Sequence, residues 1–381
     1  MSLNIGKEKI LIYFFLCSIF ISSIFMVGEM NGNLTEEIDL NDDISKNFIL
    51  KSAEVWEISP FEIDATATGV GAHNWTWAVS QPWCTGLGTL NNPYIIENLI
   101  INGGGSEYCI SIRNSDIFFR IENCTFTNTG PGFEDASIKL INTSYGVVID
   151  NNCSSNETCG IYLKYCNNNT ISENIVNDNV EVGITLMFSN NNEVLGNTVL
   201  RNNVGIILSF ESNNNTILGN MCNDGVAALT YFSIASGITV EYDCNYNLIS
   251  GNIAKNNSMG IKINANCNNN TIEGNTFNEN LLRGIWIINS NFNFIIENTI
   301  NKNGIGIDLE ISNYTQIIGN TLIGNGVCTE EEDCIGNDFQ NNKCGENQPA
   351  IHGYGLYFIL SVFTITFGIL IKKQFKVLLF E

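Results

Sequence analysis

Apolar and polar residues alternate along the middle of this chain in one short phrase, written many times. "GITLMFSNNNEVLGN" (183–197), "GIILSFESNNNTILGN" (205–220) and "GIKINANCNNNTIEGN" (260–275) are near-copies. Each opens on Gly-Ile, runs through an Asn cluster and closes on Asn. The glycines are Gly160, Gly183, Gly205, Gly237, Gly260, Gly284 and Gly306, and Ile follows every one. Two residues further on stand Leu163, Leu186, Leu208, Val240, Ile263, Ile287 and Leu309. The residue between them varies freely, from Tyr162 and Thr185 to Lys262, Trp286 and Asp308. Fixed–variable–fixed is a period of two, which predicts a strand with one buried face. Two further apolar columns flank the closing Asn, one from Val148 to Ile317 and one from Cys153 to Leu322. The unit therefore predicts three short strands, with turns at Gly and Asn.

The closing residues are Asn98, Asn123, Asn151, Asn174, Asn197, Asn220, Asn252, Asn275, Asn298 and Asn320. Most of the middle intervals are 23 residues, and one is 32, a unit plus an insert around "AALTYFSIA" (227–235). A constant period in this range signals a solenoid. A leucine-rich repeat has a similar period but needs a Leu ladder and a helical or extended back half. Here β-branched Ile and Val dominate, and no stretch has a 3.6-residue period. The expected fold is all-β, a parallel β-helix of about ten coils stacked ~4.8 Å apart. The Asn ladder has a reason: Asn tolerates a left-handed turn, and its amide can bond the Asn above and below. Solenoid ends need caps. Residues 29–84, with Trp56, Trp75, Trp77 and Trp83, read as an N-terminal extension and cap, 85–326 as the repeats, and 327–352 as a Cys-rich cap or stalk.

The "N-N-T-I-x-G-N-T" and "G-I-x-L" units resemble the right-handed parallel β-helix repeats of pectin-lyase-like proteins, in particular the NosD-like group, also described as CASH repeats. "WCTGLGTLNNPYIIENLIING" (83–103) is similar to the start of such repeats in surface proteins, archaeal ones included. The resemblance spans roughly 85–326 and is specific for fold rather than activity. It implies that an exposed sheet face could hold a sugar chain, as in the lyases and hydrolases of this group. The NosD-like likeness also raises copper, but the chain has only His73 and His352, and its six Met do not cluster.

Composition places the chain. A net charge of −22 argues against nucleic acid and anionic membrane surfaces. Lys7 and Lys9 before an apolar run at 10–28 predict a secretory signal over 1–28, or an anchor if it is not cleaved. The apolar run 354–371 precedes Lys372, Lys373 and Lys376. It predicts a transmembrane helix over 353–372 and a cytoplasmic tail over 373–381. Thirteen Cys, one of them inside the signal, favour disulfides in an exported chain. Cys328, Cys334 and Cys344 are candidates, and so are Cys244 and Cys267, which fall at the same turn of neighbouring coils. Glycan acceptor triplets number about eleven and include Asn33, Asn74, Asn142, Asn156, Asn168, Asn214, Asn269 and Asn313.

Candidate chemistry falls in two places. On the outward side of the Gly-Ile strand, Tyr162, Lys164, Glu241, Lys262 and Trp286 are candidate ligand contacts. Asp308 and Glu310, about 6.5–7 Å apart on one strand face, match the separation of an inverting glycosidase pair. They lack a helper His, and the Asp-Asp and Gly-His-Gly signatures of polygalacturonases are absent. The second place is the residue before the closing Asn: Glu97, Glu122, Asp150 and Glu173 put acids on four successive coils, where calcium could sit. The reading is an anchored, glycosylated surface protein that binds a polysaccharide or surface glycan, with other envelope proteins as further partners. The alternatives are a polysaccharide lyase or glycoside hydrolase, and a purely structural stalk.

Overall fold

The computed structural model describes residues 54–226 and 234–345. They wind into a right-handed parallel β-solenoid of about 11 turns. Eleven strands, from Phe61–Asp64 to Val327–Glu332, stack as one parallel sheet that carries the Gly-Ile motif. A second sheet of twelve strands runs from Cys84–Thr85 to Asp338–Gln340. The third side is thinner. It begins with four strands, from Trp56–Glu57 to Asn152–Cys153, and then narrows to single bridges at Ile175, Thr198 and Met221. The three predicted apolar columns are in register, with Ile161 opposite Ile184 and Leu163 opposite Leu186. All three columns point inward and are closed to solvent.

Each coil stacks on the next through its turns, and here the structure corrects the sequence reading. The left-handed residue is not the closing Asn but the one before it: Asp150, Glu173, Gly196, Gly219, Gly251 and Gly274 all have φ between 54° and 66°. This explains why Gly recurs there. The closing Asn points inward, and its carboxamide bonds vertically. Asn197 Oδ1 accepts from both the backbone N–H and the Nδ2 of Asn174, at 2.9 Å each, and Asn220 does the same for Asn197. The ladder begins at Asn151. Asn98 and Asn123 stand one position earlier, at the left-handed site, with φ of 60° and 51°.

Two more Asn ladders run parallel to the first. One passes through Asn169, Asn192, Asn215, Asn247, Asn270 and Asn293. The other passes through Asn156, Asn179 and Asn202, breaks at Gly225, and resumes at Asn257, Asn280 and Asn303. A fourth inward column mixes Ser and Cys, from Cys166 through Ser189, Ser212, Cys244, Cys267, Ser290 and Ser312 to Cys334. In every column the side chain accepts a backbone N–H from the coil before. A tight turn leaves buried N–H groups that water cannot reach, and these side chains supply the missing acceptors.

Gly205 illustrates the tightness of the coil. A Cβ there would lie 2.5 Å from the Gly237 carbonyl oxygen and 2.9 Å from Cys222 Cβ. At the N-terminal end, the helix Trp75–Val79 starts on Asn74, whose side chain accepts from Trp77 N at 3.1 Å. Buried Trp75 and Trp83 pack over the first coil, and Trp75 Nε1 donates to Ser115 Oγ at 2.9 Å. At the other end, residues 327–344 are a further coil rather than a detached stalk. Val327–Glu332, Asp338–Gln340 and Lys343–Cys344 each pair in parallel with the coil before. The predicted signal, transmembrane helix, cytoplasmic tail and Asn33 lie outside the described residues. Among the described residues, no helix is long and apolar enough to cross a membrane.

Candidate functional site

The strands of the Gly-Ile sheet put three side-chain columns on its outer face. One holds Cys159, Val182, Val204, Ser236, Met259 and Arg283. The middle one holds Tyr162, Thr185, Ile207, Thr239, Lys262, Trp286 and Asp308. The third holds Lys164, Met187, Ser209, Glu241, Asn264, Ile288 and Glu310. The variable positions do face away from the core. In the central coils they are nevertheless buried, Tyr162 at 1% exposure and Ile207 at 3%. There the outer face is itself apolar: Tyr162, Val182, Met187, Val204 and Ile207 pack as a second cluster, with Phe188 and Ile141 against it.

This cluster floors a recess of about 200 Å³ with an almost wholly apolar lining. Tyr162 and Glu241 of the predicted set meet there, joined by Phe133, Glu181, Thr185, Phe210 and Tyr242. Tyr162 donates to Met187 Sδ at 3.4 Å, and burial raises its phenol. Burial also pushes the Cys159 thiol up to about 12, and its sulfur lies 3.1 Å from Thr185 Oγ1. Burial raises the Glu241 carboxyl as well, with Lys262 opposing. Lys164 is engaged elsewhere, with Nζ 2.6 Å from Glu134 Oε1. A ladder of stacked rings borders the face: Tyr165, Phe188, Phe210 and Tyr242, at centroid spacings of 5.0, 5.4 and 4.8 Å. The sequence reading missed Glu181, Phe133 and this ring ladder. The near-repeat spacing of the four aromatics was a usable signal.

Further along the axis the face turns ionic. Arg283 joins the predicted residues. Its Nε bonds Asp308 Oδ2, its Nη2 lies 3.5 Å from Glu310 Oε1, and its guanidinium sits 4.1 Å over the Trp286 ring. Trp286 Nε1 donates to Glu310 at 2.9 Å, and Lys262 Nζ lies 5.6 Å from the ring. Asp308 and Glu310 therefore share one cation, and Asp308 is only 3% exposed. This is a closed ion-pair network, unlike the open pair a glycosidase needs to admit water between its carboxyls.

The four-acid calcium ladder does not form. Glu97 pairs in register with Glu122, which pairs with Ile149, so these two stand one position before Asp150 and Glu173. Glu122 instead bonds Arg120. Asn98 and Asn123 sit one place out of phase with Asn151 and Asn174, so the four acids do not share a column. Among the described residues, no group of three His, Cys, Asp or Glu is placed to hold a metal ion. His73, the one described histidine, stacks on Trp77 at 3.9 Å.

The cysteines divide differently from the sequence expectation. Cys328 and Cys344 form a disulfide, and Cys334 is free. Cys244 and Cys267 do neighbour each other but are free thiols. Each stands where other coils use Ser and accepts a backbone N–H at 3.3 Å. Among the glycan acceptors, Asn142, Asn168 and Asn214 are exposed, while Asn74, Asn269 and Asn313 are half-buried. Asn156 cannot carry a glycan in the folded chain. It is 2% exposed and its amide is committed to an inner ladder.

Two family profiles match the chain. The right-handed β-helix region matches residues 85–222, and the periplasmic copper-binding protein (NosD) profile matches residues 226–353. The described residues within the latter span bring no group of three His, Cys, Asp or Glu together and so do not fit a copper ion. No curated protein matches the chain. Among solved structures, it is similar to the periplasmic alginate epimerase AlgG, at 14% identity and TM-score 0.47, covering 75% of this chain and 84% of that one. It is also similar to the A-module of the Azotobacter vinelandii mannuronan C-5 epimerase AlgE6, at 14% identity and TM-score 0.47, covering 78% and 92%. The pectate lyase Pel9A is more distant, at 11% identity and TM-score 0.39, covering 63% and 76%. Likeness at this level carries no functional argument. The pairing of the strands and the two profile matches together make this chain a right-handed parallel β-helix repeat protein.

Proposed function

We propose that this chain is a cell-surface protein that binds a polysaccharide along the outer face of its Gly-Ile sheet, without catalysis. One observation carries the reading. Lys164, Glu241, Lys262, Trp286 and Glu310 are all half-buried on one unbroken parallel face, so one side of each stays open. A polymer lying along the axis would meet a new coil every ~4.8 Å. Around Trp286, Lys262, which has no ion pair among the described residues, offers donors to sugar hydroxyls, and the lone pairs of Glu310 left over from its Trp286 and Arg283 contacts offer acceptors. The Trp286 ring face is held by Arg283, so a sugar would meet the ring edge and the charged groups beside it. Catalysis by Asp308 and Glu310 is not proposed, because Arg283 occupies both. The apolar segments at 10–28 and 354–371 support export and a C-terminal membrane anchor, and the exposed Asn142, Asn168 and Asn214 support glycosylation.

The test is a glycan-array screen of the full chain in non-ionic detergent, with and without calcium. Saturable binding is expected, weakened about tenfold in Trp286→Ala, equivalent to about 1.4 kcal/mol. If no glycan binds in either condition, the reading fails and the face is structural.

A further inference from the structure

The recess over the central coils has a feature that polysaccharide binding does not use. Glu181 lines it and is only 6% exposed. Its Oε2 is buried and has no hydrogen-bond partner, and no described cation pairs with it. A buried carboxyl oxygen without a donor is costly, and such atoms are ordinarily paired. Glu241, at the same recess, also has no ion pair among the described residues, and Lys262 acts on it only at a distance. Around these carboxyls the wall is largely apolar, with Tyr162, Ile207, Phe210 and Tyr242, the last two stacked at 4.8 Å, and with Thr185 and Ser209 beside them.

We propose that this recess binds a small organic cation, an ammonium group carrying an apolar body. The ammonium would donate to Glu181 and supply the missing charge, while the apolar body would cover Ile207 and Tyr162. An inorganic cation fits poorly, because calcium or magnesium requires six or more oxygen ligands and the recess brings only two carboxyls and a few hydroxyl side chains to a largely apolar wall. An anion would face two carboxyls and a chain of net charge −22. The same net charge raises the local concentration of cations. This inference stands apart from the polysaccharide reading. The two share Glu241, but Glu181 and the apolar wall lie on different coils from Trp286 and Asp308, so either can fail alone.

The experiment is a calorimetric titration of the full chain in non-ionic detergent with three probes of similar size: 2-phenylethylammonium, 2-phenylethanol and phenylacetate. The ammonium is expected to saturate with Kd about 0.1–1 mM, in keeping with the affinity available to so few atoms. The alcohol should bind at least tenfold more weakly and the acid not at all. Glu181→Gln should weaken the ammonium tenfold or more and leave the alcohol unchanged, with circular dichroism confirming the fold. Glu241→Gln should weaken the ammonium by a smaller factor, and Ile207→Trp, which fills the recess, should remove both ligands. The proposal is overturned if the ammonium does not saturate, if the alcohol or the acid binds as tightly, or if Glu181→Gln binds the ammonium like the parent chain.

Discussion

Replacing Asn220 by alanine should show what the inner ladders are worth. Asn220 is fully buried. Its Nδ2 donates to the Val194 and Leu218 carbonyls at 2.8 and 3.2 Å and to Asn252 Oδ1 at 3.0 Å. Its Oδ1 accepts from the backbone N–H and Nδ2 of Asn197 at 2.9 Å each. Alanine removes all five contacts. Asn197 Nδ2 keeps the Ile171 and Leu195 carbonyls, but the Asn197 backbone N–H loses its acceptor in a dry interior. An orphaned buried group costs about 1–3 kcal/mol, and the void left by the carboxamide adds to it, for a total of about 2–5 kcal/mol. In a solenoid each coil leans only on its neighbours, so the loss should concentrate on the coils around 197–252. Urea unfolding followed by circular dichroism gives the total, and hydrogen exchange locates it. The control is Asn342→Ala, at the half-exposed end of the same ladder, where water can replace the lost bonds and the cost should stay near 1 kcal/mol. Equal losses at Asn220 and Asn342, or a loss below about 1 kcal/mol at Asn220, would refute the view that the ladder satisfies a buried backbone.

Other outcomes follow from the same structure. Thr315 occupies an Asn ladder site but is too short, and its Oγ1 is buried without a partner; Thr315→Asn should stabilise by about 1 kcal/mol in the same urea assay. Arg283→Met should destabilise by about 3–5 kcal/mol because it leaves Asp308 buried and unpaired, and Arg283→Met with Asp308→Asn should recover part of that loss. Of the ten free cysteines among the described residues, only Cys334 is not buried; mass spectrometry after native alkylation should therefore find Cys334 modified and, for example, Cys84 and Cys159 intact. Burial raises the Glu241 carboxyl, so the folded chain holds that proton more tightly than the unfolded one. Its contribution to stability should fall as pH rises from the ordinary Glu value through the raised one, and Glu241→Gln should remove that slope in denaturation curves taken across the window.

The period and the chemistry of the columns were enough to read the solenoid from the sequence. Ile161, Val148 and Cys153 repeat because each coil presents the same inward position to the next, so a one-dimensional pattern reports a one-dimensional stack. The closing Asn was legible for the same reason, and so was its bonding to the Asn above and below, but its place in the turn was not. Sequence spacing cannot distinguish the residue that takes the left-handed turn from the one that points inward. Only the register shows that Glu173 and Gly196 bend the chain while Asn174 and Asn197 bond through it. The same one-place ambiguity produced a calcium ladder from Glu97 and Glu122 that the strand pairing dissolves. Tyr162, Lys164, Glu241, Lys262, Trp286, Asp308 and Glu310 were placed on one outer face by period alone. Arg283 and Glu181 were not, because Arg283 sits where Cys159, Val182, Val204 and Met259 stand on other coils, and Glu181 sits at a site that varies from Thr158 to Asn203 and Ala235, so no repeat marks either. Period determines which way a side chain points. Whether it is open, buried or paired depends on what the neighbouring coils place beside it, and that is settled only when the coils are stacked.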